Sequence, residues 1–125
     1  MARVLSPASA KTLNLPGRTS HEILSAAHNA ANMTFRLVEI PVPAPDEKPR
    51  GMHRHANFEE CIYVLAGHGT SYAGDEAVPV KAGDTIHVPA GEPHVTRNTG
   101  SEPLVLLCFF PVGDVARGTR EEPAA

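Results

Sequence analysis

Glycine and proline interrupt this chain at short, regular intervals, and that punctuation restricts it to folds made of many brief strands. Ten glycines and twelve prolines are spread through 125 residues. Between them lie runs rich in β-branched and aromatic residues, at 33–40, 61–66, 77–80, 85–88, 94–96 and 104–110. The first ends at Pro41 and the last at Pro111, because a residue without an N–H cannot extend a ladder. Gly67-His68-Gly69, Gly74-Asp75, Gly83-Asp84, Pro89-Ala90-Gly91 and Asn98-Thr99-Gly100 separate the others, and such clusters are turn formers. No run sustains an apolar period of 3.6 residues, so helices are not expected. The pattern predicts an all-β, single-domain barrel or sandwich.

The length suits one core. The barrel core is expected over 33–111. Residues 1–32 read as an N-terminal arm with a short strand at 20–24, packing on the barrel or on a neighbour. Residues 112–125 read as a polar C-terminal tail. The segment 41–49 holds four prolines and is a loop. Formal net charge is −3, and no Lys/Arg cluster offers a footprint for phosphate backbones, so nucleic acid is not an expected partner. The longest apolar run, Leu104 to Phe110, has seven residues, far short of the ~20 that span a bilayer. The N-terminus lacks the apolar stretch of a secretory signal, so the expected compartment is the cytoplasm. Cys61 and Cys108 lie in apolar runs without CxxC spacing and read as buried, reduced thiols.

Seven histidines are many for this length. His53 and His55 stand two residues apart, which on a strand puts both imidazoles on one face. Held so, both can reach one ion at ~2.0–2.1 Å. The pair alone is weak evidence, since a chain with this histidine content yields roughly 0.4 such pairs by chance. Glu59 and Glu60 follow at the start of the next apolar run, and either carboxylate can turn toward the same ion. A third imidazole, His94, comes just after the Pro89-Ala90-Gly91 turn.

Two spaced motifs run through these residues. Gly83, five residues, Pro89-Ala90-Gly91, two residues, His94, three residues and Asn98 form one. His53, His55, four residues, Glu60, six residues and Gly67 form the other. The chain resembles the cupin superfamily, whose second motif is matched at every fixed position. In the first motif the leading glycine is replaced by Glu47, and Gly51 is the nearest substitute. The resemblance implies a jelly-roll-like cupin β-barrel (a double-stranded β-helix) over about 33–111. It also favours Glu60 over Glu59 as the carboxylate, completing the ligand set His53, His55, Glu60 and His94.

Three nitrogens and one anionic oxygen leave open positions on a six-coordinate ion. They suit one divalent Fe, Mn, Ni or Co, or Zn in a smaller shell. The resemblance then implies a metal-dependent enzyme acting on a small organic substrate, a dioxygenase slightly ahead of an isomerase or lyase. Glu60 and His87 are the candidate proton-moving groups. The alternative is a non-catalytic small-molecule-binding or sensor module. Arg36 is a candidate carboxylate grip if it faces inward. Exposed strands and the run 104–110 predict a homodimer.

Overall fold

The computed structural model describes residues 1–121. Eleven strands follow one another: β1 (Lys11–Leu15), β2 (Arg18–Leu24), β3 (Thr34–Ile40), β4 (His53–His55), β5 (Glu60–Ala66), β6 (His68–Ala73), β7 (Glu76–Lys81), β8 (Thr85–Val88), β9 (His94–Arg97), β10 (Leu104–Phe110) and β11 (Thr119–Glu121). Among the described residues the helical elements are three short 3-10 turns. The strands form a six-stranded sheet, β1-β2-β3-β10-β5-β8, and a five-stranded sheet, β11-β4-β9-β6-β7. Every pairing is antiparallel. This is the all-β barrel that the turn spacing predicts.

Period-two alternation places the core between the sheets. In β10, Leu104, Leu106, Cys108 and Phe110 are buried, and Ile62 and Val64 of β5 meet them. Val64 and Leu104 have no exposed surface, and full burial of such a side chain contributes roughly 1.5–3 kcal/mol. The alternate residues of the same strands face outward, leaving Tyr63, Leu65 and Phe109 exposed. Cys61 is also exposed, against expectation, because it belongs to the outward set of β5. Gly67 makes the tight step from β5 to β6 at φ +89°, where a Cβ would sit 2.5 Å from the Pro103 carbonyl oxygen.

Both ends of the chain are more integrated than the sequence suggests. β1 and β2 pair as a hairpin, and β2 pairs with β3, so residues 11–24 extend the six-stranded sheet. At the other end Val115 is buried, and β11 pairs with β4 in the register Thr119↔His55 and Glu121↔His53. The polar tail is therefore docked as far as Glu121; its last four residues, 122–125, lie outside the described residues.

Candidate metal centre

β4 and β9 are neighbours, and their pairing sets His53 opposite His94. His55, two residues along β4, points the same way. Glu60 opens β5 in the facing sheet and closes the cluster from across the interior. One ligand atom from each of His53, His55, Glu60 and His94 lies within 4.8 Å of the others. His55 Nε2 and His94 Nε2 are each 3.1 Å from Glu60 Oε1. His55, Glu60 and His94 are buried, while His53 is half-buried and faces the cavity.

Hydrogen bonds behind the cluster show that it fits a cation. His94 Nδ1 is 2.9 Å from the Glu92 carbonyl oxygen, which only accepts, so Nδ1 carries the proton. The Thr119 hydroxyl donates to the Val115 carbonyl oxygen at 2.7 Å, so it accepts from His55 Nδ1 at 3.0 Å. In its neutral form each imidazole therefore turns an unprotonated Nε2 toward the Glu60 carboxylate. Lone pairs facing at that distance repel, and a proton or a metal ion between them removes the conflict. Residues behind a metal-ligating histidine commonly set its tautomer in this way.

The electrostatics agree. Burial raises the Glu60 pKa, but the close His55 and His94 nitrogens, which donate to the carboxylate once an imidazole is protonated, outweigh it and hold the carboxyl at about 2. Burial, followed by the neighbouring His94, pushes His53 down to about 3, leaving a neutral ligand. Burial opposes protonation of His94 as well, yet its bonds to Glu60 and to the Glu92 carbonyl raise it on balance. Burial, and then the adjacent Glu60, push the Cys108 thiol well up, so it stays protonated beside that carboxylate. The residues would hold a divalent ion as an N3O set, and such an ion would act as a Lewis acid or, if redox-active, as an electron carrier toward a bound substrate.

The cluster opens into a cavity of about 320 Å³, at the small end of the ~300–1,000 Å³ of ligand sites. Leu13, Leu15, Ile62 and Leu106 form apolar walls, and Arg18 and Arg50 add positive charge. Arg36 also lines the cavity, but its guanidinium is held by Glu22 at 2.9 and 3.1 Å, and Ser25 caps the same carboxylate. It is thus already neutralised.

Glu60, not Glu59, joins the cluster. Glu59 is exposed and pairs with His87 at 2.7 Å. His87 itself is corrected by the structure. It sits opposite Cys61 on β8, and that register turns its ring to the outer face, away from the cavity. It cannot move a proton at the candidate centre. Asn98 is structural, donating to the carbonyls of Ile40 and Glu102 and accepting from Gly100 N–H. Sequence reasoning missed Thr119, 64 residues from the histidine it orients. It also missed Arg18 and Ser20 on the cavity wall.

The model of the cupin domain family matches residues 36–110, more than half of the chain. The chain belongs to the cupin family. A curated relative, the oxalate-binding protein of Thermotoga maritima, is 34% identical over 85 residues, covering 68% of this cupin and 66% of that protein. A protein of Methanocaldococcus jannaschii is 42% identical over 57 residues, 46% of each chain. This cupin thus spans about half to two thirds of the length of those relatives. Among solved structures, a predicted oxalate decarboxylase of Thermotoga maritima superposes with a TM-score of 0.69 at 26% identity, over 88% of this chain and 99% of that one. The Streptomyces nucleoside dehydratase Pac13 superposes with a TM-score of 0.78 at 17% identity, over 99% and 93%, a likeness of fold alone. No helix among the described residues is long and apolar enough to cross a membrane.

Proposed function

We propose that this cupin is a metal-dependent enzyme whose small organic substrate binds beside His53, His55, Glu60 and His94. The observation that carries the reading is the tautomer conflict: Thr119 and the Glu92 carbonyl turn two unprotonated nitrogens onto one carboxylate. Oxygenation stays slightly ahead of isomerase or lyase chemistry. Among the described residues that line the cavity, the three imidazoles and Glu60 are committed to the cluster, and the remaining carboxylate, Glu121, is exposed on the short edge strand β11. A proton-abstracting mechanism at the cluster would use Glu60 itself. Glu60 is the group that would take or return a substrate proton.

A second reading is favoured by the oxalate-binding relative: a barrel that holds a small acid without turning it over. Elemental analysis of protein purified without tags or chelators, followed by oxygen-electrode and product assays, separates them. Near-stoichiometric iron with substrate-dependent oxygen uptake supports the oxygenase. Bound zinc or manganese with product formation and no oxygen uptake supports the isomerase or lyase branch. Ligand-dependent thermal stabilisation without turnover supports the binder. No metal in native or reconstituted protein sinks the metal reading.

The same reading includes a homodimer working in the cytoplasm. Phe35 and Leu37 of β3, Leu107 and Phe109 of β10, and Tyr63 and Leu65 of β5 share the outer face of the six-stranded sheet. Contiguous apolar surface of this kind is commonly covered by a partner, and a second copy offers a self-complementary one.

A further inference from the structure

We propose that Arg18, Ser20 and Arg50 form an anion subsite in the cavity of the metal cluster, so that the cavity takes a small dianion with one acidic group at the cluster and the second on this subsite. The inference rests on the metal-dependent reading and narrows its substrate class. Arg18 and Ser20 come from β2, which lies outside the matched cupin domain, and Arg50 comes from the loop before β4. All three line the cavity that contains His53, His55, Glu60 and His94.

Arg18 and Ser20 share the inward face of β2, opposite Leu15 and Leu13 of β1. The Ser20 hydroxyl is buried, with 1% of the residue exposed, and has no hydrogen-bond partner. An unpaired buried hydroxyl costs ~1–3 kcal/mol, which a bound acceptor removes.

Arg18 and Arg50 are both half-buried, and their side chains donate to backbone carbonyls, Pro16 at 2.9 Å and Thr96 at 3.0 Å. Neither forms an ion pair with a carboxylate among the described residues. Burial, then the neighbouring Arg18 and Arg97 charges, pushes Arg50 down to about 10. Two guanidinium groups that raise each other's energy in a confined space are stabilised by an anion between them. Glu121 is the carboxylate nearest this pair in effect, favouring the charged form of both, and it is exposed on the short edge strand β11.

The charge balance gives the number of acidic groups. Glu60 and Glu121 offset Arg18 and Arg50, and Glu22 offsets Arg36. With neutral imidazoles, a divalent ion on the cluster leaves the cavity with an excess of two positive charges. A dianion neutralises it. The small volume and apolar walls restrict that dianion to a short carbon skeleton. Carboxylate and phosphoryl groups share the chemistry that two guanidinium groups and a hydroxyl recognise.

Isothermal titration of manganese-reconstituted protein tests this, with the dianions malonate and succinate, and phosphoglycolate with about three charges at neutral pH, compared against acetate and propanoate, and with metal content measured for every variant. The dianions are expected to bind at least about tenfold tighter than the monoanions. Arg18→Met is expected to weaken the dianions by ~10–100-fold while leaving acetate within about threefold, and Arg18→Lys to recover most of the loss. Glu121→Gln removes a competing charge and is expected to tighten the dianions by about threefold or more. Malonate and succinate outbinding phosphoglycolate assigns a carboxylate; the reverse order assigns a phosphoryl group. Equal affinity for dianions and monoanions in metal-loaded wild type overturns the subsite, as does unchanged dianion binding in folded Arg18→Met. If Arg18→Met does not fold, unchanged or weaker dianion binding in Glu121→Gln overturns it. Wild-type protein that retains no ion overturns the metal-dependent reading instead.

Discussion

His55 Nδ1 donates to the Thr119 hydroxyl at 3.0 Å, and that hydroxyl donates in turn to the Val115 carbonyl at 2.7 Å. The docked C-terminal segment thereby chooses the tautomer of a histidine on the far side of the sequence. Thr119→Val keeps the shape and removes the acceptor. It is expected to lower metal affinity by ~10–100-fold, the usual effect of losing a group behind a ligand. Thr119→Ser should retain nearly all of it. Competition with a chromophoric chelator measures both, and equal affinity in the two variants would remove Thr119 from the centre.

Glu59 and Glu60 differ by one position and by which face of the chain they occupy. Glu60→Gln should abolish stoichiometric metal, because the amide lacks the negative charge that the N3O set offers a divalent ion. Glu59→Gln should leave metal content unchanged, since Glu59 is exposed and bonded to His87. Elemental analysis of the purified variants checks both, and His87→Ala serves as a further neutral control.

Metal uptake should strengthen as pH rises. In the metal-free protein His94 binds its proton more tightly than an ordinary imidazole, against burial, because Glu60 and the Glu92 carbonyl favour the charged form. Below its raised pKa the ion must displace that proton, so apparent affinity should climb by about tenfold per pH unit and level off above it. His53, held at about 3, releases no second proton in the neutral range. Affinity measured against pH that is flat, or that falls toward alkaline pH before the metal hydrolyses, would contradict this assignment.

The outer face of the six-stranded sheet is expected to close a homodimer. Phe109 packs against Phe35 there at an interplanar angle of 47°, with ring centroids 4.4 Å apart, and Phe109 remains 41% exposed. Phe109→Glu puts a charge in the middle of that face and should yield a monomer without loss of bound metal. Light scattering coupled to size-exclusion chromatography decides it. A wild-type monomer at micromolar concentration would sink the dimer.

Gly67 lies between two strands with no room on its Cα. Alanine there must adopt a left-handed φ of +89° and meets Pro103 O at 2.5 Å. Gly67→Ala is expected to cost at least ~1–3 kcal/mol, from the φ strain alone, visible as a lower midpoint in urea unfolding.

Several features were legible because they are local. Strand-ending prolines, turn glycines and the spacing of two histidines depend on neighbours a few residues away, so the barrel core and the His53–His55 pair could be read directly, while the rest of the candidate ligand set came with the resemblance to cupins. β1 and β2 were less legible. Their inward residues include Arg18 and Ser20, which line a cavity rather than a core, and Glu22, buried against Arg36, and polar inward residues erase the alternation by which a strand is recognised. The tail hid its role likewise, since Thr119 is an ordinary polar residue until β11 pairs with β4.

By itself, then, the sequence determined an all-β chain with three imidazoles and a carboxylate at cupin spacing, since turn chemistry and period-two facing act over a few residues. Only the tertiary structure decided that Glu60 turns inward, that His87 turns outward, that Arg36 is already paired with Glu22, and that Thr119 stands behind His55. Each of those depends on which strands become neighbours and in what register, and a shift of one residue would turn every one of these side chains to the opposite face.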